Sequence, residues 1–226
     1  MATRDESDST RGRANALRMA ISGQLGPSGL IEPELMPVLD LCLECKACKS
    51  ECPTGVDMAR LKSEFLHQYQ RMHGASLRSR LLGQAEKVAL WSSRLAPVAS
   101  WVQSTRPARF LADATLGIDG RRRFPAATRR TFTKGRRKDH VTDPRGSAGD
   151  GQPEKRLALF VDTFTEFYEP EHGHSAVRVA ERIGWEVVVP PRVCCGRPLI
   201  SKGFLEQARE QAEATTRTLS PLSSAG

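Results

Sequence analysis

Nowhere in the 226 residues is there an apolar run close to the twenty that a membrane-spanning helix needs. The start of the chain, Met1 to Arg13, is polar and lacks the apolar centre of a secretory signal. The expected compartment is therefore the cytoplasm, where thiols stay reduced, either in solution or peripheral at the inner membrane face. Also missing are a glycine-rich phosphate loop, a hydrolase elbow and a paired acid and base, so no residues are visible that would convert a substrate. An apolar fraction of 39% is slightly lean in core-forming residues and, beside 27% charged residues, is typical of a soluble chain. The length suits one or two modest domains. Cysteine is confined to two places: four residues between Cys42 and Cys52, and the adjacent pair Cys194 and Cys195. A disulfide scaffold would spread its cysteines along a short secreted chain. This clustering points instead to metal ligation at one site and a second cysteine site far downstream.

The first cluster reads Cys42-x-x-Cys45-x-x-Cys48-x-x-x-Cys52-Pro53. Two-residue gaps let three thiolates of one tight loop reach three iron corners of a [4Fe–4S] cube, and in two-cluster ferredoxins the fourth cysteine of such a run ligates the other cluster. Structural zinc sites usually join two knuckles a dozen or more residues apart, a layout that four cysteines in eleven positions do not offer. Cys42, Cys45 and Cys48 are thus the expected ligands. Cys52 either closes the same cluster or serves a second one. Lys46 and Lys49 are expected to stabilise the reduced, more negative state.

Periodicity predicts helices around the cluster. Ala14, Leu17, Ala20 and Ile21 recur at helical spacing, and a short helix runs from Pro33 to Leu41. Asp57 is placed to cap a helix whose inner stripe is Met58, Leu61, Phe65, Tyr69 and Met72, ending at Gly74. Further helix is expected from Leu77 to Leu95 and from Val98 to Val102, broken at Pro97, with the tryptophans Trp91, Trp101 and Trp185 as packing residues. These segments form an expected α-helical domain, residues 1–116. Residues 117–154 carry nine Lys or Arg residues between Arg121 and Lys138, then a Gly-, Ser- and Asp-rich stretch, and read as a basic flexible linker. Only Phe124 and Phe132 interleave with the charges and no groove-reading motif is present, so nucleic acid is not an expected partner. Docking to an acidic redox partner is the next reading after a solvated linker.

A different pattern begins at Arg156. The apolar runs Leu157–Val161 and Trp185–Val189, with a helix at 175–183 between them, predict a strand–helix–strand unit. Cys194 and Cys195 fall in the loop after the second strand, where open α/β sheets place ligands. Two strands do not make a stable sheet, so residues 155–226 read as a partial α/β domain. His172 and His174 are expected in an exposed loop before the helix, and His67 on a polar helix face.

Three segments carry a family resemblance: STRGRANALR (9–18), LDLCLECKACKSECPTGVDMARLKSEF (39–65) and CCGRPLISKGF (194–204). Together they resemble the iron–sulfur half of bacterial FAD-linked 2-hydroxyacid dehydrogenases of the D-lactate and D-2-hydroxyglutarate type, and are similar to the glycolate oxidase iron–sulfur subunit. The resemblance implies an α-helical ferredoxin-like [4Fe–4S] domain joined to a truncated α/β cysteine-rich domain of the heterodisulfide-reductase kind. It implies electron transfer as one portion of a flavin-linked oxidoreductase, with FAD on a domain or partner subunit outside this chain and a quinone or redox protein as acceptor. By motif matching it makes Cys42, Cys45 and Cys48 ligands of the retained cluster, Cys52 a ligand of another, and Cys194 and Cys195 a redox or cluster-related site. It further implies that the chain is a fragment, lacking an upstream cysteine set and later cysteines. A freestanding carrier or adaptor, and an inactive remnant, are the alternatives of other classes.

Overall fold

The computed structural model describes residues 4–121, 125–139 and 156–223. It is mostly helical, with one small parallel sheet, and divides into two compact units: Met1–Gly83 with Gly196–Arg209, and Gln84–Cys195 with Glu210–Gly226.

In the first unit, Ser9 caps helix α1 (Thr10–Ile21) by accepting a hydrogen bond from the Gly12 amide at 2.9 Å. Leu17 and Ala20, one turn apart, point inward and meet Leu35 and Leu39 of α2 (Leu35–Asp40) and Met58 and Phe65 of α4 (Met58–His73). Between α2 and α4 lies the five-residue helix α3 (Ala47–Glu51). Asp57 caps α4 through the Arg60 amide at 3.0 Å, and Gly74 ends it with a positive φ. The stripe expected on α4 is only partly right. Met58 and Phe65 are buried, whereas Leu61 and Met72 are exposed, and Ala59, Lys62 and Ser63 turn inward instead. α4 thus presents a partly polar face to its neighbours.

The segment after Gly196 joins this unit. Helix α12 (Arg197–Ser201) packs against α5 (Leu77–Gly83) and α4. Gln70 donates to the Lys202 carbonyl at 2.7 Å, and His67 Nδ1 lies 3.1 Å from the Gly203 carbonyl oxygen. His67 is therefore a docking residue. At Gly203 φ is +76°, and a Cβ there would stand 2.7 Å from Leu66 Cβ and 2.8 Å from the His67 nitrogen. Only glycine fits both the backbone turn and the close approach.

The second unit contains α6 (Ala85–Arg94), α7 (Ala96–Ser104), α8 (Arg106–Leu116), α9 (Phe132–Asp139), α10 (Thr163–Phe167), α11 (Pro170–Arg182) and the end of α13 (Leu205–Ser223). Strands β1 (Arg156–Ala158) and β2 (Glu186–Val188) pair in parallel, with Leu157 opposite Val187. The strand–helix–strand order is as expected, though both strands are shorter than the apolar runs that announced them. Pro97 sits in the first turn of α7, where its missing amide costs nothing.

Three features depart from expectation. Trp91 and Trp101 are 60% and 69% exposed, while Trp185 packs beside the core. His172 and His174 lie within α11, because that helix begins at Pro170; the His174 ring sits 4.9 Å from that of Phe132. Most consequentially, the middle of the stretch expected to be a linker carries α9, and its Phe132 is fully buried with Val161, Val177, Ala180 and Val187. Glu166 anchors the same helix, accepting from the Thr133 amide at 3.1 Å and hydroxyl at 2.7 Å. A periodicity search passes over Phe132 because the charges around it are dense and its apolar partners lie far along the chain. Residues 122–124 and 140–154 of the expected linker lie outside the described residues. Among the described residues no helix is long and apolar enough to cross a membrane.

Phe132→Ala is expected to destabilise the protein by about 3–5 kcal/mol, as for other fully buried phenylalanines. Trp91→Ala should change stability by no more than about 0.5 kcal/mol. Urea unfolding followed by far-UV circular dichroism compares the two; equal effects would return residues 125–139 to the status of a linker.

Candidate metal centre

Two buried anchors bracket the cysteine loop: Leu39 near the end of α2 and Met58 at the start of α4. Between them the backbone makes unusual turns. Glu44 and Lys46 adopt left-handed conformations, with φ of +54° and +64°, which non-glycine residues rarely take. Each costs on the order of 1–3 kcal/mol and persists only where the surroundings over-determine it. The kinks flank Cys45 and bend the chain from Cys42 around to α3, which carries Cys48.

The four thiols differ in setting. Cys45 is exposed, Cys42, Cys48 and Cys52 are half-buried, and Cys48 packs against the hydrophobic core. Cys52 stands at the C-terminal end of α3, its Sγ 3.1 Å from the Thr54 hydroxyl. That hydroxyl, together with the backbone amides of Val56, Thr54 and Gly55, favours the thiolate and lowers the Cys52 pKa below the ordinary thiol value.

Charged groups are arranged differently from expectation. Lys46 and Lys49 are exposed and directed at Asp57, with Nζ to Oδ2 distances of 4.0 and 3.9 Å. Such surface pairs contribute little, about 0–1 kcal/mol. The cation on the inner side of the loop is Lys62, only 7% exposed. Its ammonium donates to the Cys42 carbonyl at 2.7 Å and to the Asp40 carbonyl at 3.3 Å. Burial lowers the Lys62 pKa, while Glu44 and Cys42 act in the opposite direction. Glu44 is 3% exposed, and burial raises its pKa against the pull of Lys62, Arg197 and Lys202. Its Oε1 has no hydrogen-bond partner among the described residues. From far along the chain, Arg197 donates to the Glu44 carbonyl at 2.5 Å.

Lys62, Glu44 and Arg197 were not legible as site residues. Charged side chains default to solvated faces in a sequence reading, and Arg197 is 153 positions from Glu44. The available signal was the placement of Glu44 inside the cysteine motif and of Arg197 directly after the Cys-Cys-Gly triplet.

Four soft thiol donors on one loop suit an iron–sulfur or other thiophilic centre. The backbone is bent to present them. The sulfurs themselves are not gathered: among the described residues no three His, Cys, Asp or Glu groups are arranged to hold a metal ion. A cysteine thiol swings about the single torsion χ1 between staggered positions, and the backbone that carries Cys45 is bent on both sides, at Glu44 and Lys46. The donor chemistry fits the group. Cys194 and Cys195 belong to the other compact unit, in the segment between β2 and α12. Cys195 is exposed, and the Cys194 carbonyl accepts from Thr215 at 2.9 Å. None of the six cysteines forms a disulfide.

Comparison with known proteins adds descent to this geometry. The chain is 25% identical over 194 residues to D-2-hydroxyglutarate dehydrogenase of Escherichia coli (strain K12), covering 85% of this chain and 19% of that protein. It is 32% identical over 138 residues to one of the subunits of the anaerobic glycerol-3-phosphate dehydrogenase of the same strain, covering 61% of this chain and 33% of the relative. It is 38% identical over 56 residues to lactate utilization protein A of Bacillus cytotoxicus, covering 24% of this chain and 23% of that protein. In each case the chain spans a third or less of the relative's length. No family model matches the chain, and no solved structure matches it. The protein is accordingly a distant relative, over most of its length, of one part of the D-2-hydroxyglutarate dehydrogenases, and over shorter spans of the glycerol-3-phosphate dehydrogenase subunit and the lactate utilization protein.

Proposed function

We propose that this chain relays electrons as the iron–sulfur portion of a flavin-linked 2-hydroxyacid oxidoreductase. Cys42, Cys45 and Cys48 hold a [4Fe–4S] cluster, and Cys52 supplies either its fourth ligand or a ligand to a second cluster. A cluster at this position takes up and releases one electron at a time, dividing the two-electron chemistry of a flavin into single steps. The flavin and the residues that oxidise substrate belong to another domain or subunit, and a quinone or redox protein receives the electrons. The helical unit then corresponds to a ferredoxin-like domain. The strand–helix–strand segment with Cys194 and Cys195 corresponds to part of a heterodisulfide-reductase-like domain.

The observation that carries the reading is the spacing of four cysteines on a loop whose two left-handed residues, Glu44 and Lys46, curl it around Cys45. The relatives, dehydrogenases and a lactate utilization protein, support the oxidoreductase setting. The residues divide the work. α2 and α4 hold the ends of the loop in the core. Cys42 and Cys48 are half-buried, and the Thr54 hydroxyl and neighbouring amides at Cys52 favour its thiolate, the form that binds metal.

Purified without oxygen, the protein is expected to carry about four irons and four sulfides per chain with broad visible absorbance. Cys42→Ser, Cys45→Ser and Cys48→Ser should each remove most of the iron. Cys52→Ser distinguishes its two roles: loss of iron makes it the fourth ligand, retention assigns it to another cluster. Colourless protein with bound zinc would refute the proposal.

Because the Cys52 pKa is lowered, its thiolate in the iron-free protein is expected to survive to lower pH than that of an ordinary cysteine. Iodoacetamide labelling mapped by peptide should place the pH midpoint of Cys52 below the ordinary thiol value. Thr54→Val should move that midpoint upward, since the Thr54 hydroxyl is the largest cause of the shift. A midpoint indifferent to Thr54 would remove this account of the thiolate.

A further inference from the structure

Two buried charged groups, Lys62 and Glu44, and a surface arginine, Arg197, meet at the cysteine loop from three places in the sequence. Lys62, from the second turn of α4, is almost completely buried and donates to the carbonyls of Asp40 and Cys42. Arg197, the first residue of α12, donates to the carbonyl of Glu44. Glu44 itself turns its carboxylate inward beside Lys62, Arg197 and Lys202, at a backbone conformation that its side chain disfavours. Burying an ammonium and a carboxylate costs several kcal/mol per ion unless they compensate one another, so an arrangement kept at this cost invites a positional explanation.

From this geometry we infer that Lys62 and Arg197 are positioning residues, which clamp the backbone of residues 40–44 in its bend, with the buried Glu44 side chain beside them. The inference rests on the proposed cluster for its redox consequence but not for its structural content. Both donors hold carbonyl oxygens rather than sulfurs. They fix three carbonyls of the loop, at Asp40, Cys42 and Glu44, and with them the path of the backbone between the proposed ligands. α12 is seated for this purpose by Gln70 and His67, which bind the carbonyls of Lys202 and Gly203, and by the glycine at 203 that lets the chain lie directly on α4. The clamp thus makes the segment after the Cys-Cys-Gly triplet a structural part of the cysteine loop far upstream. Lys62 also places a positive charge behind Cys42, where Lys46 and Lys49 are turned toward Asp57. A cation held close in a low-dielectric setting favours the more negative, reduced state of a neighbouring centre.

The test uses the full chain with Lys62→Met, Lys62→Arg, Arg197→Ala and, as the competing cation, Lys49→Met. In iron-free protein with far-UV circular dichroism like that of the parent, Lys62→Met and Arg197→Ala are expected to raise iodoacetamide labelling of Cys42 and Cys45 at least threefold, with Cys195 unchanged. In iron-loaded protein, both should at least halve the iron retained per chain. Lys62→Met should also lower the midpoint potential in an EPR-monitored titration; Lys62→Arg should restore most of it, and Lys49→Met should shift it less. Labelling rates equal to the parent in both Lys62→Met and Arg197→Ala would overturn the clamp, as would a larger potential shift in Lys49→Met. Should Lys62→Met fail to fold, Arg197→Ala alone decides, since that residue lies at the surface. Parent protein that binds no iron refutes the proposed function, and the labelling arm still decides the clamp.

Discussion

The cysteine loop depends on the burial of apolar side chains on both of its flanks. Leu39 on α2 and Met58 and Phe65 on α4 share one core with Leu17 and Ala20 of α1. Each fully buried large side chain contributes about 1.5–3 kcal/mol, enough in combination to hold the two helix ends apart at a set distance. The residues between them are then closed at both ends. A loop so constrained can be driven into conformations that a free peptide would leave, and the left-handed Glu44 and Lys46 are the visible result.

Electrostatics inside this frame follow from the same burial. Exposed lysines beside the cysteines meet Asp57 and solvent, where water screens them. Lys62 lies within the unit and meets two carbonyl oxygens at short range, where the effective dielectric is lower and each interaction counts for more. Of the cations near the motif, the one hidden on the helix therefore matters most to the loop. The one-electron chemistry proposed for this loop would be served by a backbone held on several sides.

The second unit follows another logic. Its sheet has two short parallel strands, too few to be stable alone. Phe132 from α9 and Val177 and Ala180 from α11 cover the apolar side chain of Val187. Arg136, one turn beyond Phe132, donates to the Val187 carbonyl at 2.7 Å. A basic segment is thereby drawn into the packing by one aromatic residue and one of its own charges.

Local rules were enough to recognise much of this protein from its residues. The Asp57 cap, the end of α4 at Gly74, the strand–helix–strand order and the cysteine spacing all involve neighbours close along the chain, so their chemistry is written in adjacent letters. What remained hidden involves partners far apart. Whether Lys62 faces water or Cys42, whether Phe132 belongs to a linker or a core, and whether Arg197 reaches Glu44 are decided by which surfaces meet after folding. The α4 stripe shows the boundary between the two: its 3.6-residue period identified a helix, but only the packing of α1, α2 and α12 around it chose Lys62 and Ser63 over Leu61 and Met72 for the inside. Periodicity specifies that a helix has an inner face, and the shape of its neighbours specifies where that face points.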